Sequence, residues 1–130
     1  MTLPADSAER KRYPLASGLL DYFPDALAEV SRVSWVGNEK HNPGEPLHHA
    51  RGKSMDHADC ILRHLMQRGE FEDVAVGSAT YRVRHSACLV WRALALLQEE
   101  LEAAGAPLAR GAKLAAPATQ AYHTEQQGKP

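Results

Sequence analysis

Cysteine is scarce: Cys60 and Cys88 are the two thiols in 130 residues, and they lie too far apart for a Cys-x-x-Cys pair. That excludes a disulfide scaffold and reads as reduced thiols in a cytoplasmic protein. Basic residues are not in excess, with 15 Lys and Arg against 16 Asp and Glu and a formal charge of −1. A nucleic-acid polymer is therefore not expected as a partner, because such a ligand is met by a basic surface. No run of about 18 apolar residues exists, so no membrane partner or span is expected. The opening stretch MTLPADSAERKRYP has no apolar core of the kind a secretory signal carries.

Several hydrolase motifs are also missing. There is no Gly-x-Ser-x-Gly elbow and no His-Asp dipeptide of the HD-type phosphohydrolases. Gly52-Lys53-Ser54 matches the end of a phosphate loop, but Leu47 stands where the first glycine is needed and PGEPLHHA is no strand. The segment reads as a loop in which Ser54 caps the next helix. Lys53 can still meet a phosphate as a point charge. The seven histidines are too scattered for a His-rich zinc site.

What is present is helical periodicity in one domain. Residues 1–16 and 105–130 are polar or small and are expected to be flexible, leaving 17–104 as a helical catalytic domain. Pro24 suits a first helical turn, and Asn42-Pro43-Gly44 stops that helix. A second helix covers at least 54–68, with Ala58, Ile61, Leu62 and Leu65 on its apolar face and Gly69 beyond its end. A third, about 82–104, carries Val83, Ala87, Val90, Leu94, Leu97 and Leu101 in steps of four and three. Segment 70–80 is a loop or a short strand. The expected class is all-α, an antiparallel helical bundle. Three helices of this size leave apolar surface uncovered, so a homodimer or homotetramer is expected.

The acids carry the chemistry. Asp56 and Asp59 share one helix face at i, i+3, and Asp25 and Glu29 share another at i, i+4. Neighbouring carboxylates repel unless a cation separates them, and hard oxygen ligands suit magnesium. In a helical hairpin turning at Gly44, position 29 lies opposite 59. If the second helix starts at Ser54, Glu39 is instead the closer partner of Asp56. Glu29 and Glu39 stand roughly 15 Å apart along one unbroken helix, so both can ligate one ion only if Gly37 breaks it. Glu29, Asp56 and Asp59 form the favoured metal and catalytic set, with Glu39 and Asp25 in reserve. The plainer alternative is a set of solvated faces paired with Arg32 and Arg63. Trp35, beside the acid stripe, is a candidate to stack a base or simply to pack a helix.

The segments FPDALAEVSRVSWVGNEKHNPGEPLH, GKSMDHADCILRHL and RHSACLVWRALALLQEELE resemble the phage-type dATP/dGTP diphosphohydrolases, relatives of the all-α MazG-like nucleoside triphosphate pyrophosphohydrolases that include MazZ-type members. The resemblance spans about 13–102 and is most specific at Asn38 to Gly44 and at Asp59-x3-Arg63-His64-Leu65. It implies hydrolysis of dGTP or dATP to the monophosphate and pyrophosphate, in the host cytoplasm if phage-encoded. It also implies Mg²⁺ or Mn²⁺ held by helix carboxylates. The family pairs Glu-x-x-Glu on one helix with Glu-x-x-Asp on the next. The chain offers Asp56-x-x-Asp59 for the second pair, whereas Ala26 replaces the glutamate that would precede Glu29, leaving Asp25 or Glu39 to compensate. Lys40, Lys53 and Arg63 are then phosphate contacts. Asn38 and Asn42 read base or sugar, or serve as turn residues. His64 and His85 support the site or are structural. The competing readings are a non-catalytic helical module binding nucleotide or protein, and a hydrolase of damaged nucleotides.

Overall fold

The computed structural model describes residues 3–114. Asp6 accepts a hydrogen bond from the Glu9 amide at 3.0 Å and starts α1 (Ser7–Arg10), a single helical turn. A π-helical turn, Ala16–Leu20, leads to α2 (Pro24–His41). Pro24 sits in the first turn of α2, where its missing N–H has no partner to lose, and Asp25 favours the positive end of the helix dipole. The helix ends where Asn42-Pro43-Gly44 was expected to stop it, with Gly44 at φ +82°. Gly37 does not interrupt it.

The fold is mixed α/β, which corrects the all-α expectation. Strand β1 (His49–Arg51) pairs in parallel with β4 (Ala112–Leu114), and β2 (Phe71–Val76) pairs antiparallel with β3 (Ala79–Arg84). The hairpin follows from its alternation. Val74, Val76, Ala79, Tyr81 and Val83 fall on one face and are buried or half-buried. The link is the two residues Gly77-Ser78, with Gly77 at φ +59°. That geometry suits a type II′ turn, whose right-handed twist matches the strands. Val83, expected to open the third helix's stripe, belongs to β3 instead, and α4 begins at His85 (His85–Ala103).

Helix α3 (His57–Met66) is shorter than the expected 54–68 and its N-cap residue is Asp56, not Ser54. A helical hairpin folding α2 onto α3 does not form. Both helices lie against α4 and touch each other at most marginally, while α2 also packs on β2 and β3. The buried apolar side chains are few among the described residues: Val30, Val36, Cys60, Val83, Ala87 and Ala95. The lower part of the α4 stripe stays out of that core, with Leu94 47%, Leu97 52% and Leu101 49% exposed. Part of the expected C-terminal tail turns back to form β4; residues 115–130 lie outside the described residues. No helix among the described residues is long and apolar enough to cross a membrane.

Candidate functional site

A groove of about 1130 Å³ runs between α2, α4, the β1 segment and the hairpin. Its walls bring together cations from three parts of the chain: Lys40 at the end of α2, Lys53 and Arg63 around α3, and Arg92 on α4. The chain's net charge is −1, so this convergence is local and comes from the fold. Like charges gathered at one surface favour an anionic ligand.

Arg92 is held by a chain of polar contacts. Its Nη1 donates to Ser54 Oγ at 2.9 Å and to His57 Nδ1 at 3.2 Å, and it stands 3.8 Å from Asp56 Oδ1. Because His57 accepts at Nδ1, its hydrogen sits on Nε2, which donates to Glu99 Oε2 at 2.5 Å. Both ring nitrogens of this buried histidine are thus engaged. It orients Arg92. The Ser54 hydroxyl accepts from Arg92 and donates to Asp56 Oδ1 at 2.8 Å. That bond, together with the Cys60 thiol at 3.4 Å from Oδ2, holds the Asp56 carboxyl below the usual range and keeps it ionised.

Next to this network, Arg51 grips Glu102 with two bonds, Nε to Oε1 at 2.6 Å and Nη2 to Oε2 at 3.0 Å. Gln98 Nε2 and the Ala109 amide also donate to Glu102. Arg51 also contacts His49 Nδ1. Burial first, then the Arg51 charge, push the His49 imidazole toward its neutral form. His49 meets the Trp91 ring edge-on at 4.8 Å, and Trp91 Nε1 donates to Ser34 Oγ at 2.8 Å, tying α4 to α2.

A third cluster faces the same groove. One ligand atom each of His64, Glu72 and Cys88 lies within 4.8 Å of the others. His64 Nδ1 meets His85 Nδ1 at 2.9 Å in a buried pair. Burial, then the neighbouring His85, hold His64 toward its neutral form. Burial, then the Glu72 charge, push the Cys88 thiol up.

The expected site residues divide. Asn38, Lys40, Asn42, Lys53, Arg63 and His64 line the groove. Asn38 is buried, and its Nδ2 donates to the Glu45 carbonyl at 2.9 Å. Its Oδ1 has no partner among the described residues. Asn42, with its amide turned so that the nitrogen faces them, donates to Glu45 Oε2 at 3.3 Å and the His41 carbonyl at 3.2 Å, which is turn chemistry. Trp35 is not in the groove; it packs edge-on against Tyr81 at 5.1 Å. Arg32 caps no acid and donates to the Arg82 carbonyl at 2.6 Å.

Glu29, Glu39, Asp56 and Asp59 do not converge. None lines the groove, and Glu29, Asp56 and Asp59 are exposed. Unbroken α2 keeps Glu29 and Glu39 roughly 15 Å apart, and α2 and α3 each pack on α4 and at most marginally on each other. Among the described residues the one group of three potential ligands is His64, Glu72 and Cys88. The four acids of one chain therefore do not fit a single magnesium centre. Sequence reasoning missed Arg51, His57, Arg92, Glu99 and Glu102. A signal existed on α4, where Arg92, Glu99 and Glu102 recur at helical spacing on a helix otherwise rich in alanine and leucine.

No family model, curated protein or solved structure matches the chain. Its chemistry must be read from the groove itself.

Proposed function

We propose that the protein hydrolyses a purine deoxynucleoside triphosphate, dGTP or dATP, to the monophosphate and pyrophosphate. The observation that carries this reading is the convergence of Lys40, Lys53, Arg63 and Arg92 on one groove. Charge-assisted donors of this kind match phosphate oxygens. Asn38 lines the same groove, and its buried Oδ1, without a partner among the described residues, supports a base as the second anchor. It is an acceptor, and an exocyclic amine or ring N–H of a purine satisfies it; leaving it unpaired costs about 1–3 kcal/mol. The resemblance to the phage-type diphosphohydrolases points to the same class.

In this scheme the cations hold the triphosphate, and Mg²⁺ or Mn²⁺ carried by the nucleotide would supply further neutralisation of its charge. A water attacks the α-phosphorus. The new O–P bond forms as the bond to the bridging oxygen breaks, and that electron pair leaves on pyrophosphate. Arg92, fixed by Ser54 and His57, neutralises the charge that develops on the phosphoryl oxygens. The proton of the attacking water leaves to solvent, while ionised Asp56 helps to hold Arg92 and Ser54 in place from outside the groove. Free thiols at Cys60 and Cys88 support a reducing compartment such as the cytoplasm.

The test is a panel of common nucleoside triphosphates with Mg²⁺ or Mn²⁺, products resolved by ion exchange. Deoxyguanosine or deoxyadenosine monophosphate plus pyrophosphate is expected. Diphosphate plus phosphate, or no turnover with any nucleotide, overturns the reading.

Leu94, Leu97 and Leu101 line the groove about half exposed, and a second copy of the chain would cover them. Apolar surface of that kind favours a homodimer or homotetramer. Light scattering at micromolar concentration is expected to give a dimer or larger for the native chain and a monomer for Leu97→Glu. A native monomer sinks the assembly proposal and leaves the hydrolase reading to its own test.

A further inference from the structure

We infer that His64, Glu72 and Cys88 form a binding site for a transition-metal ion of the zinc class, open to the groove. The three residues come from α3, β2 and α4, which are separate in sequence, and each offers one ligand atom within 4.8 Å of the other two. Imidazole nitrogen and thiolate sulfur are borderline-soft donors. They select zinc or cobalt over magnesium, which wants oxygen. With one neutral imidazole, one carboxylate and one thiolate, a bound Zn²⁺ leaves the site without net charge.

The geometry has a second, independent feature. His64 and His85 face each other through Nδ1 atoms 2.9 Å apart. One of the two must donate. With the hydrogen on His64 Nδ1, His85 accepts it and the lone pair of His64 Nε2 is left free for a ligand. Metal-bound histidines have this arrangement, in which a second group fixes tautomer and ring orientation. His85, buried at the start of α4, is thus a positioning residue. Glu72 sits on the inward face of the hairpin because it pairs across from buried Val83. It is exposed along its length and free to swing toward an ion. Around tetrahedral zinc, ligand atoms stand roughly 3.3–3.8 Å apart. The 4.8 Å span of the cluster is wider than that, and binding draws the ligand atoms together, with exposed Glu72 the side chain most free to turn. When the S–Zn bond forms, the Cys88 thiol proton leaves to solvent.

Three protein ligands leave a fourth position open. All three line the groove that holds Lys40, Lys53, Arg63 and Arg92, so that position faces the ligand space. This is the pattern of catalytic zinc, in contrast to closed structural sites with four protein ligands. The site is inferred from the cluster alone and does not depend on nucleotide hydrolysis.

The experiment reads metal, not activity. Full-length protein is stripped with a chelator and dialysed against Zn²⁺, Co²⁺, Mn²⁺ and Mg²⁺ separately, and bound metal is measured by mass spectrometry. One zinc per chain is expected, with cobalt giving a thiolate-to-metal charge-transfer absorption and magnesium not retained. Cys88→Ser abolishes the cobalt band. Because Cys88 is half-buried, Glu72→Gln provides a second variant at an exposed position; it weakens zinc binding about tenfold or more while the circular dichroism stays unchanged. Less than stoichiometric zinc in the native chain overturns the inference. So does zinc retained equally by both variants, which places the metal elsewhere, and so does retention of magnesium in preference to zinc.

Discussion

Arg92→Ala is expected to lower kcat/KM for the preferred deoxynucleoside triphosphate about 10²–10³-fold, the usual cost of losing one donor to a developing oxyanion. The size of the effect comes from how tightly the guanidinium is held. Its Nη1 donates to Ser54 Oγ and His57 Nδ1, and Glu99 locks His57 in turn at 2.5 Å. A donor fixed before substrate arrives spends little on reorganisation during the reaction. Arg92→Lys is expected to recover little, because a single ammonium on a flexible stem does not reproduce a planar guanidinium anchored at two acceptors. Removing Arg92 also strands Nδ1 of buried His57, at a cost of about 1–3 kcal/mol in stability. Thermal melting separates this loss from the catalytic one: a variant that stays folded at the assay temperature yet has lost its turnover supports the role. A folded Arg92→Ala with native kcat/KM removes Arg92 from the mechanism.

Glu102→Ala is expected to release the chain after α4. The Glu102 carboxylate accepts from Arg51 twice, from Gln98 and from the backbone of Ala109. It therefore joins β1, α4 and the turn that leads to β4 at a single group. Without it the parallel pairing of His49–Arg51 with Ala112–Leu114 loses its clamp, and amides of both strands exchange faster with deuterium. The same group sets an acid limb. Hydrogen bonds from Arg51, then Gln98, pull the Glu102 carboxyl down from 4.5 to about 2. A depressed carboxyl stabilises the fold fully above its unfolded pKa and loses that contribution as pH falls toward the folded one. The Tm of the native protein is thus expected to drop between about pH 4.5 and about pH 2. Glu102→Gln starts lower at neutral pH and falls less across that window. Parallel melting curves for the two proteins, or unchanged exchange at His49–Arg51, reject the clamp.

Particular elements show how far the sequence reached. Helix α2 was legible because its start and stop are local: Pro24 belongs in a first turn, and Asn42-Pro43-Gly44 cannot continue a helix. The hairpin was legible in principle, since Gly77-Ser78 sits between two alternating runs. It was obscured because Val83 also fits the four-and-three spacing of the following helix, and a β-branched residue at a boundary serves either period. Lys40, Lys53 and Arg63, expected as phosphate contacts, line one groove. The expected carboxylates do not meet, because their pairing assumed α2 folded onto α3, whereas each of the two packs on α4 instead.

By itself the sequence determined where α2 begins and ends and which residues are charged, because caps, proline and glycine act within a few residues of themselves. Only the tertiary structure decided which side chains share a space. The contacts of Arg92 with Ser54 and His57, of Arg51 with Glu102, and of His64 with His85 span 21 to 51 positions. Separations of that length are closed by the packing of α3 and α2 on α4, which no local pattern encodes.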